Sequence, residues 1–115
     1  MTRVLVCGGR DFRDREGVYA ALDSLDAEHR FSMVIAGGAR GAEMLAVEWA
    51  RARDVPTEIY MADWEHFGRK AGPLRNGRML AEGKPDLVVA FPGGAGTANM
   101  IEQARAAGAR LFMWS

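Results

Sequence analysis

The sequence is short of the residues that make covalent or metal frameworks. Among its 115 residues there is one cysteine, Cys7, so no internal disulfide can form. Its two histidines, His29 and His66, are far apart, and with one cysteine they cannot supply a zinc-ligand spacing. Neither sign of charge is in excess: 15 Lys and Arg balance 15 Asp and Glu. General nucleic-acid binders are ordinarily basic, so nucleic acid is not an expected partner. Long hydrophobic runs are missing too. Val4-Leu5-Val6-Cys7 is too short for a signal-peptide core, and no stretch approaches membrane length. The expected location is therefore the cytoplasm, with no membrane partner. No low-complexity or linker-like segment interrupts the chain, so residues 1–115 are expected to form one domain.

What is present is a globular composition, 49% hydrophobic and 26% charged, arranged in alternation. Apolar runs at 4–7, 31–36, 55–61, 86–91 and 110–114 read as strands. Between them lie helical patterns. Asp14 is placed to cap a helix whose Val18, Ala21, Leu22 and Leu25 share one face. Ala42, Leu45, Ala46, Trp49 and Ala50 mark a second helix. Residues 62–72 read as a long loop. Pro73 suits the first turn of a third helix, which Gly83 and Pro85 end. A fourth helix spans 97–107, with Thr97 as its expected N-cap. The alternation predicts a Rossmann-like three-layer α/β/α domain with a five-stranded parallel sheet.

Glycine is unevenly spread. Of 14 glycines, eight fall in three loops that follow strands: Gly8 and Gly9; Gly37, Gly38 and Gly41; Gly93, Gly94 and Gly96. Glycine lets a ligand approach the backbone, and unpaired amides at a helix start favour an anion. In a parallel sheet all three loops share the carboxyl edge, where ligands bind. One such loop can be a plain tight turn. Three together point to a phosphate-binding site, with Pro92 and Thr97 in the last loop. Neither G-x-x-x-x-G-K-[ST] nor a G-x-G-x-x-G after the first strand is present, which excludes a standard P-loop NTPase and a standard dinucleotide dehydrogenase.

Arg10, Arg40, Arg69, Lys70, Arg75 and Arg78 lie in or beside these loops and make a local anion trap in a neutral protein. Arg10, Arg75 and Arg40 are the strongest candidates, because a guanidinium can grip phosphate with two parallel bonds. Asp11, Glu43 and Asp63 are the nearby carboxylates, available as a general base or a ribose acceptor. Each has a structural alternative: Asp11 as a loop cap, Glu43 as a favourable charge in a helix first turn. Phe12, Trp64 and Phe67 could stack on a base or pack as a lid. Cys7 reads as a small core residue and His66 as a surface one.

Taken in order, several segments resemble the SLOG superfamily (SMF/DprA–LOG), in its small YspA/YpsA-like branch. They are Val-Leu-Val-Cys-Gly-Gly-Arg-Asp-Phe at 4–12, Gly-Gly-Ala-Arg-Gly-Ala-Glu at 37–43, Ala62-Asp63-Trp64, Gly-Arg-Lys-Ala-Gly-Pro at 68–73, Arg75-Asn76, Met79, and Pro-Gly-Gly-Ala-Gly-Thr-Ala-Asn-Met at 92–100. The resemblance implies a Rossmann-like sheet and a nucleotide-derived ligand at the glycine loops. It adds Asn76 and Asn99 to the binding set, and it implies a catalytic role for Arg75, the match to the arginine of LOG-type phosphoribohydrolases. Their motif Pro-Gly-Gly-x-Gly-Thr-x-x-Glu ends in a catalytic glutamate, and here that position is Met100. Glu102 is turned to another side of the helix and Asn99 is one residue early.

The expected function is therefore binding of a nucleotide or nucleotide-sugar phosphate, either NAD/ADP-ribose-like or a nucleoside monophosphate, as a sensor or processing domain. One alternative is a hydrolase of the N-glycosidic bond, with Arg75, Glu43 and Asp63 as its catalytic set. The other is a single-stranded DNA module. No dedicated metal site is expected, although Mg²⁺ carried by a ligand phosphate is compatible with the carboxylates. A homodimer is expected from the apolar final strand and from Met44 and Trp49 on the second helix.

Overall fold

The computed structural model describes Met1–Ser115 in full. Five strands, β1 (Thr2–Cys7), β2 (Phe31–Ala36), β3 (Thr57–Ile59), β4 (Leu87–Ala90) and β5 (Leu111–Met113), form one sheet in the order β3-β2-β1-β4-β5. All four pairings are parallel, with Val4 opposite Val34 and Leu87, and Cys7 opposite Ala90. Strand order reverses between β1 and β4, so these two strands open a crevice at their carboxyl ends.

Side chains alternate across the sheet and feed two cores. Val4, Val6 and Val89 pack with α1 (Arg15–His29) and α2 (Ala42–Ala52) on one face. Leu5, Cys7, Ile35 and Val88 pack with α4 (Ala71–Gly83) and α5 (Ala95–Ala106) on the other. The α/β/α layering expected from the sequence is the one observed. Each fully buried aliphatic side chain contributes roughly 1.5–3 kcal/mol. The capping of α1 also follows its sequence: Asp14 accepts from the Gly17 amide at 2.9 Å.

Some boundaries differ. The third strand is three residues rather than the run 55–61. The Val55 amide is taken by Ala50 O at 2.8 Å, closing α2, and Pro56 has no amide to give. The span 62–72 is not a plain loop. Asp63 caps a short helix, α3 (Trp64–Phe67), a 3₁₀ turn follows at Gly68–Lys70, and α4 starts at Ala71. Two tryptophans expected to contribute to a dimer surface pack within the chain instead, one fully and one partly buried. Trp49 is fully buried and donates its indole N–H to Asp23 at 2.8 Å. Trp114 packs against Phe12 and Phe91. No helix is long and apolar enough to cross a membrane.

Candidate functional site

The three glycine loops meet at the carboxyl edge and are tied together by their backbones. Gly9 donates to Pro92 O at 2.8 Å, and Gly9 O accepts from Ala42, the first residue of α2, at 3.2 Å. This closeness demands glycine. A Cβ on Gly9 would come within 3.0 Å of the Gly93 backbone, and one on Gly8 would come within 2.5 Å of Ala42 Cβ. Gly41 holds φ +83°, and a Cβ there would run into the Gly9 carbonyl.

A cavity of about 530 Å³ opens in this crevice. Gly8, Gly9, Arg10 and Asp11 line it from the β1 loop, Glu43 from α2, Arg75 and Asn76 from α4, and Gly94, Gly96, Thr97 and Asn99 from the start of α5. A second cavity of about 300 Å³ adjoins it. Gly37, Gly38 and Arg40 line that one, and Arg10, Ala39, Trp64 and Arg75 border both. Gly41, Pro92 and Gly93 line neither and act by shaping the loops.

Several expectations need correction. Asp63 lines neither cavity; it caps α3 by accepting from the His66 amide, and it pairs with His66 Nδ1 at 2.8 Å. Thr97 is not the N-cap of α5. Gly94, in an extended conformation, holds that place, and Thr97 falls in the first turn with its hydroxyl against Gly93. Arg78 leaves the cationic edge: it pairs with Glu82 at 3.0 Å and covers the Tyr60 ring. Ala39, Gly72, Pro73 and Ala95, outside the expected binding set, also line the main cavity. Arg69 and Trp64 both border the main cavity, and Arg10 sits over the Trp64 ring at 5.7 Å. The signal was available, because Asp63 followed by Trp64-Glu65 is a helix start that turns Trp64 back toward the edge.

The first backbone hydrogen bond into α5 is donated by Ala98 to Gly94 O at 3.0 Å. The amides of Ala95, Gly96 and Thr97 precede it, without backbone acceptors, at the cavity wall. Arg75 is held from two sides: Nη1 donates to Gly37 O at 2.6 Å and Nε to Asn76 Oδ1 at 3.1 Å. Its Nη2 has no protein acceptor.

Facing these donors is Glu43, 7% exposed, whose Oε1 accepts from the Gly37 amide at 2.7 Å. Burial pushes its carboxyl above the ordinary glutamate value, while Arg75, the Gly37 and Ala39 amides, and Arg10 pull the other way. Gly37 thus bridges acid and base, with its N–H on Glu43 and its C=O on Arg75. Cys7, at the cavity floor, is pushed up to about 12 by burial, with the charge of Glu43 adding to the effect, so it is a neutral thiol at physiological pH. No group of three or more His, Cys, Asp or Glu converges as a metal ion would require. The arrangement can bind an anion through many donors and offers one buried carboxyl suited to moving a proton.

The chain is similar to known proteins along its length. The family described as YAcAr, a YspA, cpYpsA-related SLOG family, matches residues 2–67. The Gene 61 protein of Mycobacterium phage D29 is 41% identical over 116 residues, covering 94% of this chain and 92% of that one. Among solved structures, TM1055 superposes with a TM-score of 0.77 at 22% identity, over 96% of this chain and 72% of its own. DNA processing protein A (DprA) from Streptococcus pneumoniae gives 0.75 at 19% identity, over 98% of this chain and 50% of its own. At those identities the two structures are alike in fold. With the family match over the first three strands, the first two glycine loops and α3, the chain belongs to the YspA, cpYpsA-related SLOG family.

Proposed function

We propose that the chain binds a nucleotide or nucleotide-sugar phosphate in the crevice between β1 and β4. The observation that carries this reading is the convergence of the three unpaired α5 amides, the free Nη2 of Arg75, and Arg10 on one cavity. Phosphate belongs at the α5 end. The Trp64 ring offers a flat surface for a base. The adjoining cavity beyond Arg10 leaves room for a ligand longer than a nucleoside monophosphate, which favours an ADP-ribose-like or NAD-like molecule. Any Mg²⁺ would arrive with the phosphate, near Asp11 and Glu43.

Calorimetry and thermal melts with AMP, ADP-ribose and NAD test the proposal. At a hundredfold excess over Kd, binding adds about 2.7 kcal/mol and raises Tm by several degrees. Arg75→Lys keeps the charge but loses the fork, and is expected to weaken binding about tenfold or more. No heat and no shift with any of the three ligands would remove the proposal.

A hydrolase reading is favoured by one observation, the buried and raised carboxyl of Glu43 beside the same crevice. In that reading water adds to the ribose C1′ as the C1′–N bond breaks and its electron pair leaves with the base. Glu43 takes the proton from the water and gives it up to the departing nitrogen of an adenine-type base, while a nicotinamide leaves neutral without it. Released base in a chromatographic assay, lost in Glu43→Gln, is the expected result; binding without turnover would leave the binding role alone. A homodimer through the edge of β5, where Phe112 and Met113 are exposed, belongs to the same proposal. A light-scattering mass of one chain would refute it.

A further inference from the structure

Three side-chain amides link α4 and α5, Asn76 and Asn99 at the cavity wall and Gln103 behind them, and their orientations are dictated by groups of fixed polarity. Arg75 can only donate, so the atom of Asn76 that meets its Nε at 3.1 Å must be Oδ1. The Gly96 carbonyl can only accept, so Asn76 Nδ2 faces it, at 3.2 Å. The second hydrogen of that nitrogen goes to Asn99 Oδ1 at 3.2 Å. From the other side, the Pro73 carbonyl fixes Gln103 Nε2 at 3.0 Å, and the remaining hydrogen of Gln103 also goes to Asn99 Oδ1, at 2.7 Å. Both lone pairs of Asn99 Oδ1 are then used. Its Nδ2 keeps two hydrogens with no protein acceptor. No buried side-chain nitrogen or oxygen lacks a partner, so this nitrogen is accessible, and Asn99 lines the cavity.

We infer that Asn99 is a specificity-determining donor: its Nδ2 reads a hydrogen-bond acceptor of the bound ligand, and Gln103 is the positioning residue that keeps that face donor-only. This inference rests on the proposed nucleotide-binding role of the cavity and narrows it. Wherever the ligand meets Asn99 it presents an acceptor: a phosphate, carbonyl or hydroxyl oxygen, or an unprotonated ring nitrogen. An amino group or a protonated ring nitrogen there is rejected, because neither Asn76 nor Gln103 allows the amide to turn over. The preference was hidden in the sequence. Asn99 and Gln103 are one helical turn apart, but Asn76 and Pro73 come from a different helix.

Two variants separate this device from simple packing. Asn99→Asp keeps the shape and still accepts from Asn76 and Gln103, but it turns the cavity-facing donor into a charged acceptor. Gln103→Glu does not touch the cavity. It removes both donated bonds and rewards Asn99 for turning its amide around, whereas Gln103→Leu only unlocks it. With AMP and ADP-ribose as probes, affinity should fall about tenfold or more in Asn99→Asp and in Gln103→Glu, and less in Gln103→Leu. A structural role alone would order the two Gln103 variants by Tm and not by affinity.

A ligand-free measurement keeps the inference separate from the binding proposal. In NMR hydrogen exchange on the free protein, the side-chain amides of Asn76 and Gln103 should be protected, and that of Asn99 should exchange freely. Protection at Asn99 would overturn the inference whether or not a nucleotide binds. If the wild type binds the probes and all three variants bind as tightly, the inference fails while the proposed function stands.

Discussion

Glu43 and Cys7 show how burial sorts neighbouring groups into different chemistry. The Glu43 carboxyl is raised, chiefly by burial, so the native state holds its proton more tightly than the unfolded chain. Its contribution to stability is complete below the ordinary glutamate pKa and is lost as pH rises through the higher folded value. Glu43→Gln can still accept from the Gly37 amide but has no charge to bury. As pH rises from the ordinary glutamate range, the wild type should lose stability relative to Glu43→Gln, and the difference should level off once the carboxyl is ionised in the folded protein as well. Urea denaturation of both proteins over that rise in pH tests this, and parallel curves would mean that the carboxyl titrates normally. Cys7 is neutral to about pH 12, so thiol reagents should modify it only after unfolding. Rapid labelling of the native protein would contradict its burial. Gly37 joins the two halves of the site. A Cβ there would collide with both Arg75 and Glu43, so Gly37→Ala should cost about 1–3 kcal/mol of stability and displace the guanidinium from the crevice.

The first turn of α5 trades helix stability for access. Gly96 has helical geometry, and a Cβ added there would meet nothing within 4 Å. Gly96→Ala should therefore stabilise the fold by about 0.5–1 kcal/mol, since alanine loses less backbone entropy on folding. The new methyl would also stand on the cavity wall over the unpaired amides and weaken phosphate binding. A higher Tm with lower affinity is the expected pair, and unchanged affinity would move the phosphate away from this turn. The same turn marks where sequence reading stopped short. Periodicity made the sheet and the four long helices legible, because each buries one apolar face. It put the start of α5 at Thr97, since a hydroxyl before an apolar run is the stronger cap signal, and Gly-Gly-Ala-Gly read as loop. Gly94 begins the helix instead because its extended backbone needs no side chain to turn the chain inward. The α3 turn went unseen for the opposite reason: four residues carry no period. The glycine loops, Arg10, Glu43 and Arg75 were legible because strand–loop–helix order alone brings them to one edge. The amide chain was not, because it depends on how α4 and α5 pack.

The distribution of charge fits the proposed single anion site better than a track along the surface. Of the cations expected along the loop edge, Arg78 pairs with Glu82, and Arg40 lies 3.5 Å from Asp11. Elsewhere Arg3 pairs with Glu58 and Arg53 with Asp23, each at 2.9 Å. Arg10, Arg69 and Arg75 remain around the main cavity, with Lys70 unpaired in the same 3₁₀ turn as Arg69, in a chain of zero net charge. A polymer of phosphates gains affinity by releasing counterions along its length, and each phosphate neutralised on a single strand adds about 0.7 to the logarithmic salt slope. A cavity that grips one or two phosphates should therefore show a slope of about 1 with a mononucleotide and no further gain with a longer strand. Titrating AMP and an oligothymidylate at several salt concentrations makes the comparison. Oligonucleotide affinity that rises with length, with a slope steeper than that of AMP, would show that the surface beyond the crevice takes part and that the site is not a pocket for a small molecule.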